Sequence, residues 1–170
     1  MENIMRQIRV GKLTLNMGVG EPGDKLNKAF KLLEIISGEK PVRTKTERRI
    51  PTWGIRPGLQ IGCKVTLRGA KAEKVLNMLL KSVENKIPES KFDAYGNLSF
   101  GIKEYIDIPG IEYRPEIGIL GLEAAITLER PGFRVKSKLK SAKLGKKHKI
   151  TKQDAMEFMQ EKFQVQVIEA

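Results

Sequence analysis

Gly18-Val19-Gly20-Glu21-Pro22-Gly23 has residue types and spacing that could do chemistry. It fits G-x-G-x-x-G between a segment that reads as a strand and one that reads as a helix. There, helix N-terminal amides hold a pyrophosphate, so the chemistry would be dinucleotide binding. Three features oppose it. Pro22 removes an amide from the cradle. The next strand candidate offers Arg43, Lys45 and Arg48 in place of a ribose-binding acid, although such bases would suit a 2′-phosphate. The later βαβ units are missing. A Walker loop fails as well, because Asp24 separates Gly23 from Lys25 and no Ser or Thr follows the lysine. A glycine-rich strand-to-helix turn explains the motif best, and a dinucleotide-dependent enzyme using Gly18–Gly23 stays open as the alternative.

The remaining reactive side chains are sparse. The single cysteine, Cys63, excludes intramolecular disulfides and a cysteine-cluster zinc site. The single histidine, His148, excludes a multi-histidine metal centre and argues against a Ser-His-Asp enzyme. Cys63 takes an apolar strand position, which suits a core thiol better than a nucleophile. His148 sits in a lysine run, where contact with RNA or solvent is expected. Trp53, beside Arg56, could stack on a base or fill core, and a core residue or loop anchor is the simpler reading. Glu123 and Glu129 read as surface charges. No catalytic residue, metal ligand or cofactor is expected.

Two polar strand faces say more. Lys12, Thr14 and Asn16 alternate with Leu13, Leu15, Met17 and Val19. Lys64, Thr66 and Arg68 alternate with Cys63, Val65 and Leu67. If both strands share one sheet with helices behind it, these side chains form one open face carrying donors, acceptors and positive charge. Neither strand carries an outward aromatic, which argues against base-stacking readers. The pattern suits folded RNA gripped through backbone, 2′-OH and shape. An ordinary solvated sheet face fits the alternation equally well.

The charge pattern favours the first of these. The chain has 170 residues, 32 Lys/Arg against 20 Asp/Glu and a net charge of +12. Nine of the bases lie between Arg130 and Lys149 with no acid among them. Five more lie between Lys40 and Arg49 against the lone Glu47. The rest of the chain is nearly neutral. Blocks of like charge repel one another, and a partner that releases counterions on binding gives them a use. A general nucleic-acid-binding protein remains a second alternative. No apolar run approaches the ~18 residues of a membrane span, and the first residues lack an apolar signal core. A soluble, cytoplasmic protein without a membrane partner is expected.

The elements that must position these residues follow from period and punctuation. Lys12–Gly20 reads as a strand; Glu21-Pro22-Gly23-Asp24 breaks it and caps a helix that runs to about Ser37, with Gly38 as its stop. Pro41–Thr46 reads as a basic strand. Thr52–Ile55 and Ile61–Arg68 read as a hairpin. Residues 72–85 read as an amphipathic helix, Asn97–Ile108 as a strand, and 118–121 as an apolar loop. Leu122–Glu129 and Phe133–Lys138 read as a second hairpin. The run Ser137–Lys149 has too few apolar residues to pack alone. Thr151 and Asp154 approximate a capping box for a last helix at about 151–163. The order points to an α+β fold: a mainly antiparallel sheet with helices packed on one face and the other face open. One domain over residues 1–170 is expected, with a basic hairpin or tail extension at about 130–150.

At Leu15-Asn16-Met17-Gly18-Val19-Gly20 and at Gly62-Cys63-Lys64-Val65-Thr66-Leu67-Arg68-Gly69 the chain resembles the family of the universal large-subunit ribosomal protein number five. Residues 37–45, Phe92-Asp93-Ala94-Tyr95-Gly96-Asn97 and Gly101-Ile102-Lys103-Glu104 extend the likeness over nearly the whole chain. The tail from Arg130, followed by the Thr151 helix, is similar to the archaeal and eukaryotic branch. The resemblance implies a structural protein that binds 5S rRNA on its open sheet face in the central protuberance. Asn16, Met17, Thr66 and Arg68 would form the heart of that contact, with Lys40, Thr44 and Lys45 as phosphate neighbours. Lys12, Arg43 and Lys64 join this RNA-binding set. Glu39, where the family often has glutamine, is left out because an acid cannot donate as an amide does. Arg56, Pro57, Gly58 and Gln60 lie in a loop resembling the segment near P-site tRNA. The Leu120–Lys138 region resembles the part that meets a small-subunit head protein through an inter-subunit bridge. Arg134, Lys136, Lys138, Lys140, Lys146 and Lys147 would run along large-subunit rRNA.

Overall fold

The computed structural model describes residues 3–138, 140 and 142–168. Among these described residues, seven strands and three α-helices follow in the order β1 (Arg9–Gly18), α1 (Asp24–Ser37), β2 (Val42–Lys45), β3 (Gln60–Leu67), α2 (Gly69–Ser82), β4 (Lys86–Pro88), β5 (Asn97–Ile102), β6 (Leu122–Glu129), α3 (Lys152–Phe163) and β7 (Gln166–Ile168). Five strands make one antiparallel sheet in the order β2-β3-β1-β6-β5. This is the α+β arrangement that the sequence predicts.

Strict alternation places the helices. In β1, Leu13 and Leu15 are fully buried and Met17 nearly so, and they meet Leu67, Val65 and Cys63 of β3 in register. Burial of each large side chain contributes about 1.5–3 kcal/mol. The apolar stripes of α1 (Leu26, Ala29, Leu33, Ile36) and α2 (Ala72, Val75, Leu76, Leu79) cover this face. Gly38 ends α1 in the left-handed region at φ 63° and donates to the Glu34 carbonyl, a close fit to its stop role. Ala155, Met159 and Phe163 add α3 to the same core. The Thr151 hydroxyl accepts the Asp154 N–H while the Asp154 carboxylate accepts the Thr151 N–H, so the capping box is complete.

Beyond shifts at element ends (α2 spans Gly69–Ser82 and not 72–85, and β1 starts at Arg9 and not Lys12), the structure departs from the sequence reading in three places. Thr52–Ile55 is not an arm of a hairpin with β3. It lies in the long loop joining β2 to β3, where Pro51–Trp53 is a 3-10 turn and only Ile50 and Ile55 bridge. Arg43, Thr44 and Lys45 take the partner role on β3 instead. Phe133–Ser137 is a 3-10 helix, because Gly132 at φ 93° turns the chain away from β6. The strand beginning at Asn97 ends at Ile102, since Tyr105 is fully buried and its hydroxyl accepts the Arg114 N–H at 3.0 Å. A parallel pair, β4 with β7, ties the end of α2 to the chain beyond α3. Three residues on each side are too few to show a period.

The glycine-rich turn also finds its explanation. A dinucleotide site needs parallel strands flanking a crossover helix. Here β1 and β2 are separated by β3, and every pairing in the main sheet is antiparallel.

Candidate nucleic-acid interface

The face of the sheet turned away from the helices is a polar platform. Thr14 lies directly opposite Thr66, and Asn16 opposite Lys64. Cross-strand partners project to the same side. Arg68 is still extended (φ −139°, ψ 161°) and continues the alternation past Leu67, on the same side as Lys12. Lys12, Lys64, Thr66 and Arg68 are exposed; Thr14 and Asn16 are half-buried. The two polar strand faces predicted from the sequence are thus one surface.

Neighbouring strands complete it. On β6, Glu123, Ala125 and Thr127 face Asn16, Thr14 and Lys12; on β5, Gly101 and Ser99 continue the first two rows. The Asn16 amide donates to Glu123 at 3.3 Å, which fixes the orientation of its carbonyl. Small residues keep this half flat, so a large partner can approach the backbone. On the other flank, Lys40 joins Lys64, Thr66, Arg68 and Lys71 around a depression of about 370 Å³. The amino end of α2 opens there with no side-chain cap and no acid in its first turn, so its dipole adds to the positive field. Glu39 also lines this depression and pairs with Lys71, which lowers the local charge.

Gly62 explains why β2 sits so close. A Cβ there would lie 2.8 Å from Thr44 Oγ1 and 2.9 Å from the Met17 carbonyl oxygen. Thr44, paired with Gly62, thereby joins the platform edge, and Lys45 is exposed beyond it.

Two predicted contact residues do not belong to this surface. Met17 is only 4% exposed and packs in the core beneath the sheet. Its parity is opposite to that of Asn16, so its side chain faces the helices and not the open face. Arg43 pairs with Cys63 and shares its helix side. Its guanidinium lies 5.6 Å from the centre of the Phe30 ring and donates to Asn27 Oδ1 at 2.8 Å and Gln60 Oε1 at 3.2 Å. Cys63 is fully buried, and desolvation pushes its thiol from 9.0 to about 11, against a weaker pull from Arg43. It is a core thiol, as expected.

The loop between β2 and β3 projects from the platform edge. Thr46 and Gly58 are joined by a 2.8 Å backbone hydrogen bond, and Ile50 and Ile55 exchange a pair at 3.0 and 3.1 Å. Arg56, Pro57 and Gly58 are exposed, while Gln60 is half-buried where β3 begins. Trp53 is neither core nor anchor: at 74% exposed it stands at the tip.

The basic segment doubles back. His148 Nε2 lies 2.8 Å from the Pro131 carbonyl oxygen, and its ring meets Phe133 edge-on at 5.5 Å. Its role is to close the loop. Arg134, Lys136, Lys138, Lys140, Lys146 and Lys147 are all exposed. Arg130 is different. It reaches inward to the Lys149 carbonyl at 3.1 Å and to Asp154 at 3.2 Å. Among the described residues, no group of three or more His, Cys, Asp or Glu is placed to hold a metal, and no helix is long and apolar enough to cross a membrane.

A sheet face with clustered bases, backed by helices, is an arrangement that suits a nucleic-acid-binding scaffold. Two family models match the chain: ribosomal protein L5 over residues 3–56, and the C-terminus of the same ribosomal family over residues 60–165. The chain is 52% identical to the large ribosomal subunit protein uL5 of Nanoarchaeum equitans, covering 99% of this chain and 100% of the relative. It is 51% identical to uL5 of Sulfurisphaera tokodaii (98% and 96% covered) and 47% identical to uL5 of Methanosphaera stadtmanae (97% and 99%). The chain belongs to the ribosomal L5 family, and is a structural, non-enzymatic component of the large ribosomal subunit in the cytoplasm.

Proposed function

We propose that the open sheet face binds 5S rRNA and attaches it to the central protuberance of the large subunit, with the whole chain acting as one RNA-binding domain. The observation that carries this reading is the register that sets Thr14 opposite Thr66 and Asn16 opposite Lys64 on the helix-free side. Hydroxyls and an amide at the centre suit 2′-OH and base-edge contacts, and the lysines and Arg68 around them suit phosphates. Lys40, Thr44 and Lys45 extend the phosphate contacts along one edge. The exposed loop bearing Arg56, Pro57 and Gly58, with Gln60 at its base, approaches P-site tRNA. The Leu120–Lys138 region meets a protein of the small-subunit head, and the basic segment from Arg134 to Lys147 follows large-subunit rRNA.

Filter binding of the full chain to purified 5S rRNA over a salt series tests the assignment. Arg68→Ala and Asn16→Ala should each weaken binding by about 1–3 kcal/mol. Loss of one edge lysine, such as Lys45→Ala, should mainly reduce the salt slope, by ~0.9 per phosphate contact on a duplex. Unchanged 5S rRNA affinity in both platform variants would refute the face assignment. Equal affinity for duplex DNA and 5S rRNA would favour a general nucleic-acid binder.

A further inference from the structure

Tyr95 stands on a tightly held turn, yet its ring is left in solvent. Asp93 Oδ1 accepts the N–H groups of Tyr95 and Asn97 at 2.8 and 2.7 Å, and Oδ2 accepts from the Asn97 amide at 2.6 Å. Gly96, at φ 76°, presses the turn against Ile150: a Cβ there would come within 2.5 Å of Ile150 Cγ2. The tyrosine is nevertheless 71% exposed. A fixed backbone under an exposed aromatic ring is a pre-organised contact surface, since little entropy remains to be lost there on binding.

Beside the ring lies a cavity of about 600 Å³, within the range of small-ligand sites. Tyr95, Phe133 and Ile150 give it apolar walls, while Lys136, Lys143, Lys146 and Lys149 surround it. No acid lines it. Phe133 is already engaged, with Lys136 Nζ 5.2 Å from its ring centre and His148 at its edge. Among the described residues Tyr95 enters no aromatic pair and no cation–π contact, so its face is free. The cavity is built by the tail and the Asp93 turn, and its lining shares no residue with the sheet platform.

We propose that this cavity takes one unpaired, unstacked nucleotide of large-subunit rRNA, its base on Tyr95 and its flanking phosphates among the lysines. The inference rests on the reading of the chain as an rRNA-binding protein. Four lysines without an acid select a polyanion, and the free aromatic face supplies what a base needs and an acidic peptide does not. The platform grips folded RNA without aromatics; the tail cavity supplies the stacking it lacks.

Fluorescence anisotropy of the full chain with labelled hexa-adenylate tests this, with an abasic hexamer of equal charge as the second probe. Tyr95→Ala should weaken hexa-adenylate binding about 5- to 150-fold, the range for loss of one stacked base. Tyr95→Phe should keep most of the affinity. The abasic hexamer should not distinguish Tyr95→Ala from the unaltered chain, whereas Lys143→Ala with Lys146→Ala should weaken both probes. Equal hexa-adenylate affinity with and without the ring would overturn the proposal, as would equal losses for Tyr95→Ala and Tyr95→Phe. A hexaglutamate peptide bound as tightly, with the same dependence on Tyr95, would overturn it in favour of a protein partner. Arg68→Ala separates the two readings: a Tyr95-dependent difference that persists while 5S rRNA affinity is unchanged by Arg68→Ala sinks the platform and leaves this site standing.

Discussion

Arg130 and Asp154 meet at 3.2 Å, and the carboxylate oxygen that receives the guanidinium is the same one that accepts the Thr151 N–H at 3.0 Å. One acid therefore both caps α3 and anchors the end of β6. The Arg130 side chain is only 12% exposed, and its Nε is buried without a partner among the described residues. Removing Asp154 would strand a largely desolvated cation as well as an open helix end. Asp154→Ala should destabilise the chain by about 2–4 kcal/mol, the sum of a lost charge-assisted bond and a lost cap. Thr151→Ala should cost only about 1 kcal/mol. Denaturant midpoints of the two variants check the order; equal effects would mean that the arginine contact contributes nothing.

The opposite parities of Asn16 and Met17 give a separable pair of phenotypes. Met17→Ala removes a core side chain and should cost about 2–5 kcal/mol of stability. At a temperature where the variant is still folded, its 5S rRNA affinity should match that of the unaltered chain. Asn16→Ala should do the reverse, weakening RNA binding while the melting temperature stays nearly fixed. Melting curves and filter binding on the same samples decide it. A Met17→Ala variant that is fully stable but binds poorly would contradict the observed burial.

That pair also shows what could be read in advance. Alternation from Leu13 to Val19 had already assigned Met17 to the apolar side, and family likeness alone placed it in the RNA contact. For α1 and α3, the Gly38 stop and the Thr151–Asp154 box are local signals, and both ends were legible. Val42-Arg43-Thr44-Lys45 carries no apolar alternation, so nothing in it says which face Arg43 takes. Only the pairing with Cys63 does, and that is a contact between strands. Phe133–Lys138 alternates like a strand, but the left-handed Gly132 sends it elsewhere. Tyr95 lies in a turn motif visible in the sequence, whereas the lysine-walled cavity next to it exists only once the tail has folded back.

Gly62 is the point where sheet closeness can be tested. Its added Cβ would collide with a side-chain oxygen of Thr44, which can move, and with the Met17 carbonyl, which cannot. Gly62→Ala should destabilise by about 1–3 kcal/mol. Adding Thr44→Ala should recover only part of it. Gly18→Ala, directly opposite in the register and with open space around its added Cβ, should be tolerated. Thermal melts of the three variants are sufficient, and a harmless Gly62→Ala would show that β1, β2 and β3 are less tightly apposed.

Cys63 predicts the alkaline limit of the fold. Its thiol stays protonated in the folded chain up to about 11, because desolvation opposes the thiolate, while the unfolded chain ionises near 9.0. Below pH 9 both states hold the proton and the group leaves stability independent of pH. Above it the unfolded state releases a proton that the folded state keeps. Stability therefore falls as pH rises from about 9 and levels off past the folded value, by a few kcal/mol at most. Cys63→Ala should flatten this part of the profile, although the smaller side chain lowers stability at every pH. Urea midpoints at pH 7, 9 and 10.5 for both chains measure the difference. Parallel profiles would place the thiol in contact with water, and a thiol reagent would then modify it as fast in the folded chain as in the unfolded one.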